Sequence, residues 1–531
     1  MEETIARQEA QLRELAAVVE SLQAEREQYR KLYLDILERY KRLERGLSAS
    51  PPREAYRNTS PQLSLQLLGE LFGDRPAEPE EAAPVERVRE HERRKPTGRN
   101  PLPEHLPRIE IELLPPEVER EGTDAFKRIG EEVSEVLERR KASTVVARIV
   151  RPKFVRKVGD AGDEPTVLMA EPPERPIERG LAGPGFLAAT AVARWGDHLP
   201  ANRQEAIYAR EGLSISRSTI CSWHEQLAAL ARPLVDAMRQ DALRQPYLCT
   251  DATGVLVQAK EKCRRGHFWV LVAPERHVLF DYTRKHDSAA VDGLLAGYQG
   301  YLVADAHAVY DHLYADGSIV EVACWAHARR YFFKALGSEP EQARHALALI
   351  RELFKIERTL KTAPRKKRES VRQAKSRPIV DAYFQWCEAA AERALDDTPL
   401  AKALGYSRNQ RKALERFLDD GRLPLDNNVS ERNLRREVLG RRNWLFVGSD
   451  DGALTNTVFV SLLASCQLHG LEPWAYLRDL FCLLPTWPRS RVLELAPANW
   501  RETLEQQDAQ QRLAANVFRR LTIEDGHDGG V

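Results

Sequence analysis

Two aspartates of the 531-residue chain stand at the ends of apolar segments, where a carboxylate can serve a metal ion. Asp251 follows residues 247–250, and Asp305 follows residues 301–304. A strand holds such a side chain rigidly while its end opens into a crevice, which suits a hard cation with oxygen ligands. A turn or a helix cap would explain either aspartate alone, so the predicted metal site depends on the two together.

A third group of polar residues opens a helix just after residue 425. Asn428 and Glu431 fit a capping box, in which the glutamate reaches back to the backbone amide of the capping residue, and that role would explain Glu431 without chemistry. The same segment carries further polar residues: Asp426, Asn427, Arg432, Arg435 and Arg436. One helix start does not require so many polar side chains. The segment is therefore more typical of a site that binds a metal ion and a phosphate.

Apolar alternation predicts a mixed α/β sheet that positions these acids. The predicted strands cover 247–258, 267–273, 277–282, 300–304 and 319–323, with a helix at 288–298. Three strands in a meander followed by alternating helix and strand give such a sheet. A highly charged helical block at 334–420 follows, and then a helix at 430–439, a strand-like segment at 444–447 and a buried helix at 456–468.

Composition and charge exclude several classes of protein. The chain is several times longer than the ~150-residue prior for one domain, so it should contain several folding units. Lysine plus arginine total 80 and aspartate plus glutamate 79, a net charge of +1, so any surface for nucleic acid must be local. The seven cysteines, spread along the chain, favour a reducing cytoplasm over a disulfide framework. No apolar run approaches the ~18 residues that span a bilayer, so a membrane is not expected as a partner.

The first 160 residues predict three successive units. Apolar residues recur at heptad positions a and d within residues 1–47, with Gln8 and Arg26 as polar interruptions, which predicts a coiled coil and a homo-oligomer. A helix packed on its own domain is the alternative. Residues 48–107 are rich in proline and charge and predict a linker, and residues 108–160 alternate like strands and predict a small β-rich module.

Residues 183–240 predict helices that include a helix-turn-helix. Gly212 ends one predicted helix, and after a short turn Ser216 caps the next, predicted to run from Arg217 to Leu230. An ordinary helical hairpin in a core fits these residues equally well. At the other end of the chain, residues 461–500 predict further helix and residues 501–531 a flexible polar tail.

Four segments of this chain together resemble the transposases of the insertion sequence sixty-six family. They are Thr250–Gly254, Val303–Tyr310, Ala323–Arg330 and Asp426–Ser449. Two flanking segments, Leu199–Gly212 and Ser465–Leu477, are also similar, so the resemblance covers roughly residues 90–500. Several motifs in the same order are far more specific than any one of them.

The resemblance implies a multidomain α+β protein with an RNase H-like catalytic core and an acidic triad of Asp251, Asp305 and Glu431. The core would comprise residues 245–333 and 421–460, and the helical block at 334–420 would be an insertion. The triad would hold two divalent ions, Mg²⁺ or Mn²⁺, about 3.5–4 Å apart, one making the nucleophile and the other stabilising the leaving 3′-oxygen. The residues expected to support the site are His327, Asn427, Asn428 and Arg432.

Zinc is not expected as a second cofactor. Relatives carry a cysteine-rich zinc module before the helical region, whereas residues 117–131 and 151–159 of this chain contain no cysteine. Two pairs spaced i, i+3, Cys324 with His327 and Cys466 with His469, leave a joint zinc site as an alternative to buried cysteines and a hydrogen-bonded histidine.

DNA is the implied partner, both as element ends and as target, and its phosphates require local cations. The run Arg365, Lys366, Lys367 and Arg368 is the strongest candidate, because no acid interrupts it. The other candidates are Arg217, Arg372, Lys375, Arg377, Arg435, Arg436, Arg441 and Arg442. For any single arginine, a solvated helix face with paired charges is the simpler explanation.

Three functions fit the sequence. The first is a bacterial DNA transposase, cytoplasmic and associated with the nucleoid, which cuts and joins element ends with possible help from accessory proteins of the same element. The second is a catalytically inactive regulator that keeps the coiled coil and helix-turn-helix and binds DNA without chemistry. The third is a host nuclease with the same core and no preference for repeat ends. The intact acidic triad favours an enzyme.

Overall fold

The computed structural model describes residues 102–140, 143–156, 167–260 and 262–523. The predicted coiled coil at residues 1–47 and nearly all of the predicted linker at residues 48–107 lie outside these ranges, so both stay predictions. The described chain is a mixed α+β protein in which helices surround two mixed sheets. Among the described residues, no helix is long and apolar enough to cross a membrane.

The first sheet contains the strands expected from the alternation in residues 108–158. It consists of β1 (Arg108–Glu112), β2 (Phe126–Arg140), β3 (Ser143–Arg156) and β4 (Leu168–Met169), and helix α1 (Pro116–Glu121) precedes β2. β3 is central: β1 runs parallel to it, whereas β2 and β4 run antiparallel. The valines and Ile149 of β3 suit this position, because β-branched side chains pack well on a pleated surface.

Three helices connect the two sheets. They are α2 (Pro184–Ala191), extended by a π-helical turn to Gly196, α3 (Ala201–Arg210) and α4 (Arg217–Ala242). The predicted cap of α4 is confirmed, since Ser216 Oγ accepts a hydrogen bond from the Thr219 amide at 3.2 Å. Gly212 follows α3 with φ of +78°, a conformation that glycine adopts without strain. Helix α4 continues well beyond the predicted end at Leu230.

The second sheet has the order β7-β6-β5-β8-β9. Its strands are β5 (Tyr247–Val257), β6 (Arg264–Ala273), β7 (His277–Thr283), β8 (Gly300–Val303) and β9 (Ile319–Val322), with α5 (Ser288–Leu294) between β7 and β8. The first three strands form an antiparallel meander, and β8 and β9 continue the sheet in parallel with β5. The predicted mixed sheet is therefore confirmed, and the carboxyl ends of β8 and β9 form one edge beside the middle of β5, which continues to Val257.

A helical block follows the second sheet, and its described residues 334–420 contain no strand, as predicted. It consists of α6 (Trp325–Ala335), α7 (Pro340–Thr359), α8 (Arg365–Val371), a π-helical turn at Arg372–Ser376, α9 (Arg377–Ala391), α10 (Pro399–Asn409) and α11 (Arg411–Glu415). Its core is aromatic: the Trp325 ring lies 5.1 Å from Tyr383 and 6.3 Å from Phe417 between centroids. Such clusters bury a large apolar area and fix the block as one packed unit.

The remaining helices return to both sheets. They are α12 (Asn428–Trp444), α13 (Asp450–Leu468), α14 (Pro473–Leu483), α15 (Trp500–Glu505), α16 (Gln507–Ala515) and α17 (Val517–Ile523). Helix α13 lies against β7, where the Oγ atoms of Ser461 and Ser465 accept hydrogen bonds from the amides of Phe280 and Val278. These bonds satisfy edge-strand donors that would otherwise be unpaired.

Two predictions about this region are wrong. Residues 501–523 of the predicted flexible tail form helices, because Phe518 and Leu521 pack against Val136 and Ile149 of the first sheet. The segment at 444–447 is not a strand, since Trp444 ends α12 and only Val447 forms a bridge, to Val257 of β5. In both cases the residues that these segments contact lie far away in the sequence, so the local sequence pattern does not predict the contacts.

Candidate active site

Asp251 and Asp305 lie level with each other on neighbouring strands of the second sheet, where β8 ends. Asp305 lies just beyond β8, but the prediction that Asp251 ends its strand is wrong, because pairing with β6 continues β5 to Val257. The parallel register of β5 and β8 pairs Cys249 with Val303, and each aspartate lies two residues beyond its member of that pair. Adjacent strands are ~4.8 Å apart, so equal steps along both strands bring the two carboxylates to one edge of the sheet. Each side chain is partly buried.

The loop before α12 reaches the same edge through Asn427, which is fully buried. The Nδ2 atom of Asn427 donates to the carbonyl of Thr250 at 2.8 Å, and its backbone amide donates to Cys324 Sγ at 3.1 Å. One asparagine therefore joins β5, the residue before α6 and the start of α12. This tie places the first turn of α12, and with it Glu431, beside the residue that precedes Asp251.

Glu431 does not form the predicted capping box. The residue before α12 is Asn427 rather than Asn428, and its side chain makes no cap hydrogen bond. Asp426 serves the helix start instead, since its Oδ1 accepts from the Asn428 amide at 2.9 Å and its Oδ2 from Asn428 Nδ2 at 2.6 Å. The carboxylate of Glu431 is therefore available to other partners.

Arg330 and His327, both on α6, face Glu431. Arg330 Nη2 donates to Glu431 Oε1 at 3.0 Å and to Oε2 at 3.3 Å, and His327 Nε2 lies 3.7 Å from Oε1. The two residues are spaced i, i+3 and so share a helix face. Sequence reasoning found His327 but missed Arg330, although that spacing is a signal that could have indicated it.

The charges of Asp305 and Glu431 act on Asp251. Burial, with the nearby charges of Asp305 and Glu431, raises the pKa of Asp251 to about 7. Burial also raises the pKa of Asp305, although His327 and His307 oppose this. Burial and then Arg330 lower the pKa of His327, against the pull of Glu431 and Asp305. Carboxylates that hinder each other's ionisation are typical of functional sites and of cation sites.

The chemistry of the donor set fits a divalent cation, because Asp251, Asp305 and Glu431 all offer oxygen ligands. Within the described residues, however, no group of three or more histidine, cysteine, aspartate or glutamate side chains is arranged to hold a metal ion. Arg330 provides the positive charge at Glu431 instead. The alternative zinc pairs have local roles: Cys324 accepts the Asn427 amide, and His469 contacts the Arg276 carbonyl at 2.8 Å.

The far end of α12 is fixed to β5. Arg441 Nη1 donates to Thr253 Oγ1 at 3.0 Å and also to the carbonyl of Gly254, and Val447 exchanges backbone hydrogen bonds with Leu256 and Gln258. Because Asn427 anchors its start, α12 is held to β5 at both ends. Glu431 therefore sits on a rigid element, as a precisely placed ligand requires.

Histidines that sequence reasoning missed surround the open side of this edge. The His286 ring stacks on Trp269, with 4.7 Å between the ring centroids. The centroid of the His286 ring also lies 4.8 Å from that of His307 and 5.2 Å from that of His267. His307 is two residues beyond Asp305. No sequence spacing relates His267, His286 and His307, so only the packing of β6, β7 and the loop after β8 reveals them together.

The predicted DNA contacts divide into two groups. The residues Arg217, Lys366, Lys367, Arg435 and Arg442 are exposed, as is Arg432, which was predicted to support the acidic site. In contrast, Arg365 pairs with Glu369, Arg368 donates to three backbone carbonyls, and Arg441 is tied to β5. Arg372 is buried and binds Glu357, so this prediction is wrong for Arg372 and weakened for the run at 365–368.

Comparisons with known families give three matches along the chain. Residues 179–455 match the family described as "Transposase IS66 family", and residues 461–498 match "IS66 C-terminal element". Residues 52–111 match "Transposase C of IS166 homeodomain". The third match falls mostly on the stretch for which composition predicts a linker, and it indicates a homeodomain-type region there.

Similar proteins occur in Sinorhizobium fredii (strain NBRC 101917 / NGR234). The uncharacterized protein y4hP is 29% identical over 474 residues, which cover 83% of this chain and 84% of the relative. The uncharacterized protein y4qI is 30% identical over 431 residues, or 77% of this chain and 78% of the relative. The uncharacterized protein y4jD is 28% identical, over 75% and 81% of the two chains.

Proposed function

The chain belongs to the Transposase IS66 family, and from that premise we propose that it is a DNA transposase that cleaves and joins strands at the ends of its own mobile element. The observation that carries the proposal is the geometry of the acids. Asp251 and Asp305 each lie two residues beyond Cys249 and Val303, which are paired between β5 and β8. Asn427 brings the helix that carries Glu431 to the same edge of the sheet. The contribution of the Asp305 and Glu431 charges to the raised pKa of Asp251 supports one shared site.

The strand order supports an RNase H-like core. Three antiparallel strands followed by two parallel ones, with acids within β5, just beyond β8 and on a later helix, agree with the arrangement that the family resemblance implies. The helical block between β9 and α12 then corresponds to an insertion within this core. Its effect is to separate Glu431 from the other two acids in sequence while its ends remain close in space, since Trp325 and Leu425 share a backbone hydrogen bond of 3.1 Å.

Asp251, Asp305 and Glu431 are the residues that would hold Mg²⁺ or Mn²⁺. When bound, such an ion would neutralise phosphate charge and lower the pKa of a water molecule. Arg330 must first leave Glu431, and a DNA phosphate is a suitable alternative partner because guanidinium binds phosphate and carboxylate in the same forked geometry. His327 would then orient the released carboxylate.

The proposed cleavage step is hydrolysis of a phosphodiester. The oxygen of water forms a bond to phosphorus, the bond from phosphorus to the 3′-oxygen breaks, and the 3′-oxygen leaves as a hydroxyl after taking up a proton. The products are a 3′-hydroxyl and a 5′-phosphate. That hydroxyl can attack a target phosphodiester in the same way, so no covalent intermediate with the protein is required.

Nicking of plasmid DNA tests this function. The plasmid carries the DNA that flanks the coding sequence of this chain, and polymerase extension detects new 3′-hydroxyl ends in the presence of Mg²⁺ or Mn²⁺. We expect nicking by the wild type and by Asp236→Asn, an exposed aspartate outside the site, but none by Asp251→Ala. Equal nicking by Asp251→Ala would refute the assigned site. DNA binding without nicking by any variant would favour the inactive regulator, and nicking that ignores the element ends would favour a host nuclease.

A further inference from the structure

A groove of about 820 Å³ runs between α6 and α7, outside the acidic site. Five cationic side chains line it: Arg329, Arg344, Arg351, Lys355 and Arg358. All five are exposed, and the residues that line the groove include no acid. None of these cations belongs to the uninterrupted charge run that the sequence singled out.

The cations on α7 form one stripe. Arg344, Arg351, Lys355 and Arg358 follow a spacing of i, i+7, i+11 and i+14, which returns to the same face of a helix. The buried residues of α7, such as Ala346, Ile350 and Leu353, lie on the opposite side and hold the helix in the block. The stripe is therefore displayed on a rigid support.

Little negative charge neutralises this stripe. Glu352 contacts Lys355 at 2.8 Å and Arg351 at 3.6 Å. In the part of the chain that the structure describes, the side chains of Arg329, Arg344 and Arg358 form no hydrogen bond or ion pair. A chain with a net charge of only +1 thus concentrates unpaired positive charge in one groove, which is the electrostatic pattern of a polyanion site.

The groove also exposes aromatic and aliphatic surface between its cations. Phe333 of α6 is 63% exposed, and Phe354 and Leu347 of α7 line the groove beside it. Proteins that bind nucleic acid typically combine cations along the path of the sugar-phosphate backbone with an exposed aromatic ring. An acidic peptide would use the cations but would have no particular need of an exposed phenylalanine.

The position of the groove links it to the acids. Helix α6 carries Arg330 and His327 on the face toward Glu431, and it carries Arg329 and Phe333 on the face toward the groove. Arg329 and Arg330 are adjacent in sequence. A polyanion in the groove therefore passes within about one helical turn of the acidic site.

We propose that the groove between α6 and α7 holds the backbone of the DNA that flanks the cleavage site. This inference rests on the proposed function and assigns the substrate a path that the acidic triad alone does not define. The cations of α7 would contact successive phosphates, and Phe333 would contact a sugar or an unstacked base at the end nearer the acids.

The test measures DNA affinity of the full chain as a function of salt. The groove variant Arg344→Gln/Arg351→Gln/Arg358→Gln is compared with the control Arg393→Gln/Lys402→Gln/Lys412→Gln, which removes the same charge from exposed positions of the same block. We use a fluorescent duplex of the element-flanking DNA without divalent metal, so that binding is read apart from cleavage. Each lost phosphate contact should lower the slope of log affinity against log salt by about 1, hence by about 3 for the groove variant.

The expected result is a smaller slope and at least a tenfold loss of affinity, on the order of 1.4 kcal/mol, for the groove variant alone. Phe333→Ala should weaken binding without changing the slope, and circular dichroism should show all variants folded. Equal slopes for the groove and control variants would overturn the inference while leaving the proposed function intact. If the wild type does not bind DNA at all, the proposed function itself fails.

Discussion

Two buried carboxylates with raised pKa values, Glu138 of the first sheet and Asp251 of the second, show how environment separates a structural acid from a candidate catalytic one. Glu138 is fully buried at the start of α2, and its Oε1 accepts hydrogen bonds from the amides of Phe186 and Arg139, each at 2.8 Å. Burial raises its pKa to about 8 despite these bonds. Backbone donors thus surround Glu138, as at many helix starts.

Asp251 has a different set of neighbours. It accepts the adjacent Ala252 amide at 2.7 Å, but its further surroundings include Asp305 and Glu431. The fold therefore satisfies Oε1 of Glu138 with backbone donors and, within the described ranges, leaves its Oε2 buried without a partner, as suits a carboxyl group that keeps its proton. The acids around Asp251 instead leave negative charge that an external cation can neutralise. A raised pKa alone therefore does not identify a catalytic acid. The charges of the neighbouring side chains distinguish a catalytic acid from a structural one. Four experiments test this difference.

The largest expected effect is on strand cleavage. We expect Asp305→Asn to lower the cleavage rate by more than about 100-fold, beyond the 10–100-fold typical of residues that only orient metal ligands. Glu138→Gln should keep the wild-type rate, because Glu138 contacts no part of the acidic site. The nicking assay measures both. A comparable loss in Glu138→Gln would contradict the distinction between the two acids.

The second effect is on the pH dependence of stability, and its sign follows from the raised pKa of Glu138. Below its usual value of 4.5, both the folded and the unfolded chain bind the proton, so the contribution of Glu138 to stability is fully present. It is lost as pH rises to about 8, because the folded chain keeps a proton that the unfolded chain has released.

The free energy of unfolding, from urea denaturation at several pH values, should therefore fall between these limits by up to about 1.4 kcal/mol per pH unit for this group. Glu138→Gln should remove that part of the slope. Other buried acids, such as Glu437, contribute to both proteins and cancel in the difference. An unchanged slope in the variant would mean that Glu138 is ionised throughout.

A smaller effect is expected at the glycines that make room for Glu138. A Cβ atom at Gly185 would lie 2.4 Å from Glu138 Oε1 and 2.8 Å from the Arg139 carbonyl oxygen. Gly185→Ala should destabilise the protein by about 1–3 kcal/mol, as overpacking does. Gly293→Ala is the matched control, since nothing lies within 4 Å of its Cβ and alanine suits a helix better. Equal midpoints of thermal unfolding for both variants would show that the carboxylate is not tightly enclosed.

The smallest effect concerns Arg330, which serves as the cation of the acidic site. An exposed ion pair is worth about 0–1 kcal/mol, so Arg330→Gln should tighten Mn²⁺ binding in the absence of DNA by at most about fivefold. Titration calorimetry with Mn²⁺ measures this, with Arg393→Gln as the control for a lost surface charge. Weaker Mn²⁺ binding by Arg330→Gln would show that Arg330 supports the ligands rather than competing for Glu431.

The sequence predicted much of the second sheet and the start of α4 because both depend on local patterns. Apolar alternation defined β5 to β9, and a serine after a glycine turn marked the start of α4. The charge run at 365–368 shows where such patterns fail. Arg365 and Arg368 look free in sequence, yet Asp420 and the Gly421 carbonyl approach them from more than 50 residues away. In the described chain, Arg329 of α6 and Arg344 and Arg358 of α7 are unpaired instead. The acids Glu352 and Glu357 of α7 pair with other cations, Glu352 with Lys355 and Glu357 with Arg372.

The sequence by itself determined that Asp305 follows the end of a strand, because a short apolar segment and the acid after it are local properties. That Asp251 lies inside its strand was decided by the pairing of β5 with β6. Only the tertiary structure decided where Glu431 lies and what it touches. Asn427 joins residues 177 positions apart, and Arg330 reaches Glu431 across 101 positions. Contacts of this kind depend on how the helical block packs back onto the sheet, and no spacing within one segment of the chain specifies that packing.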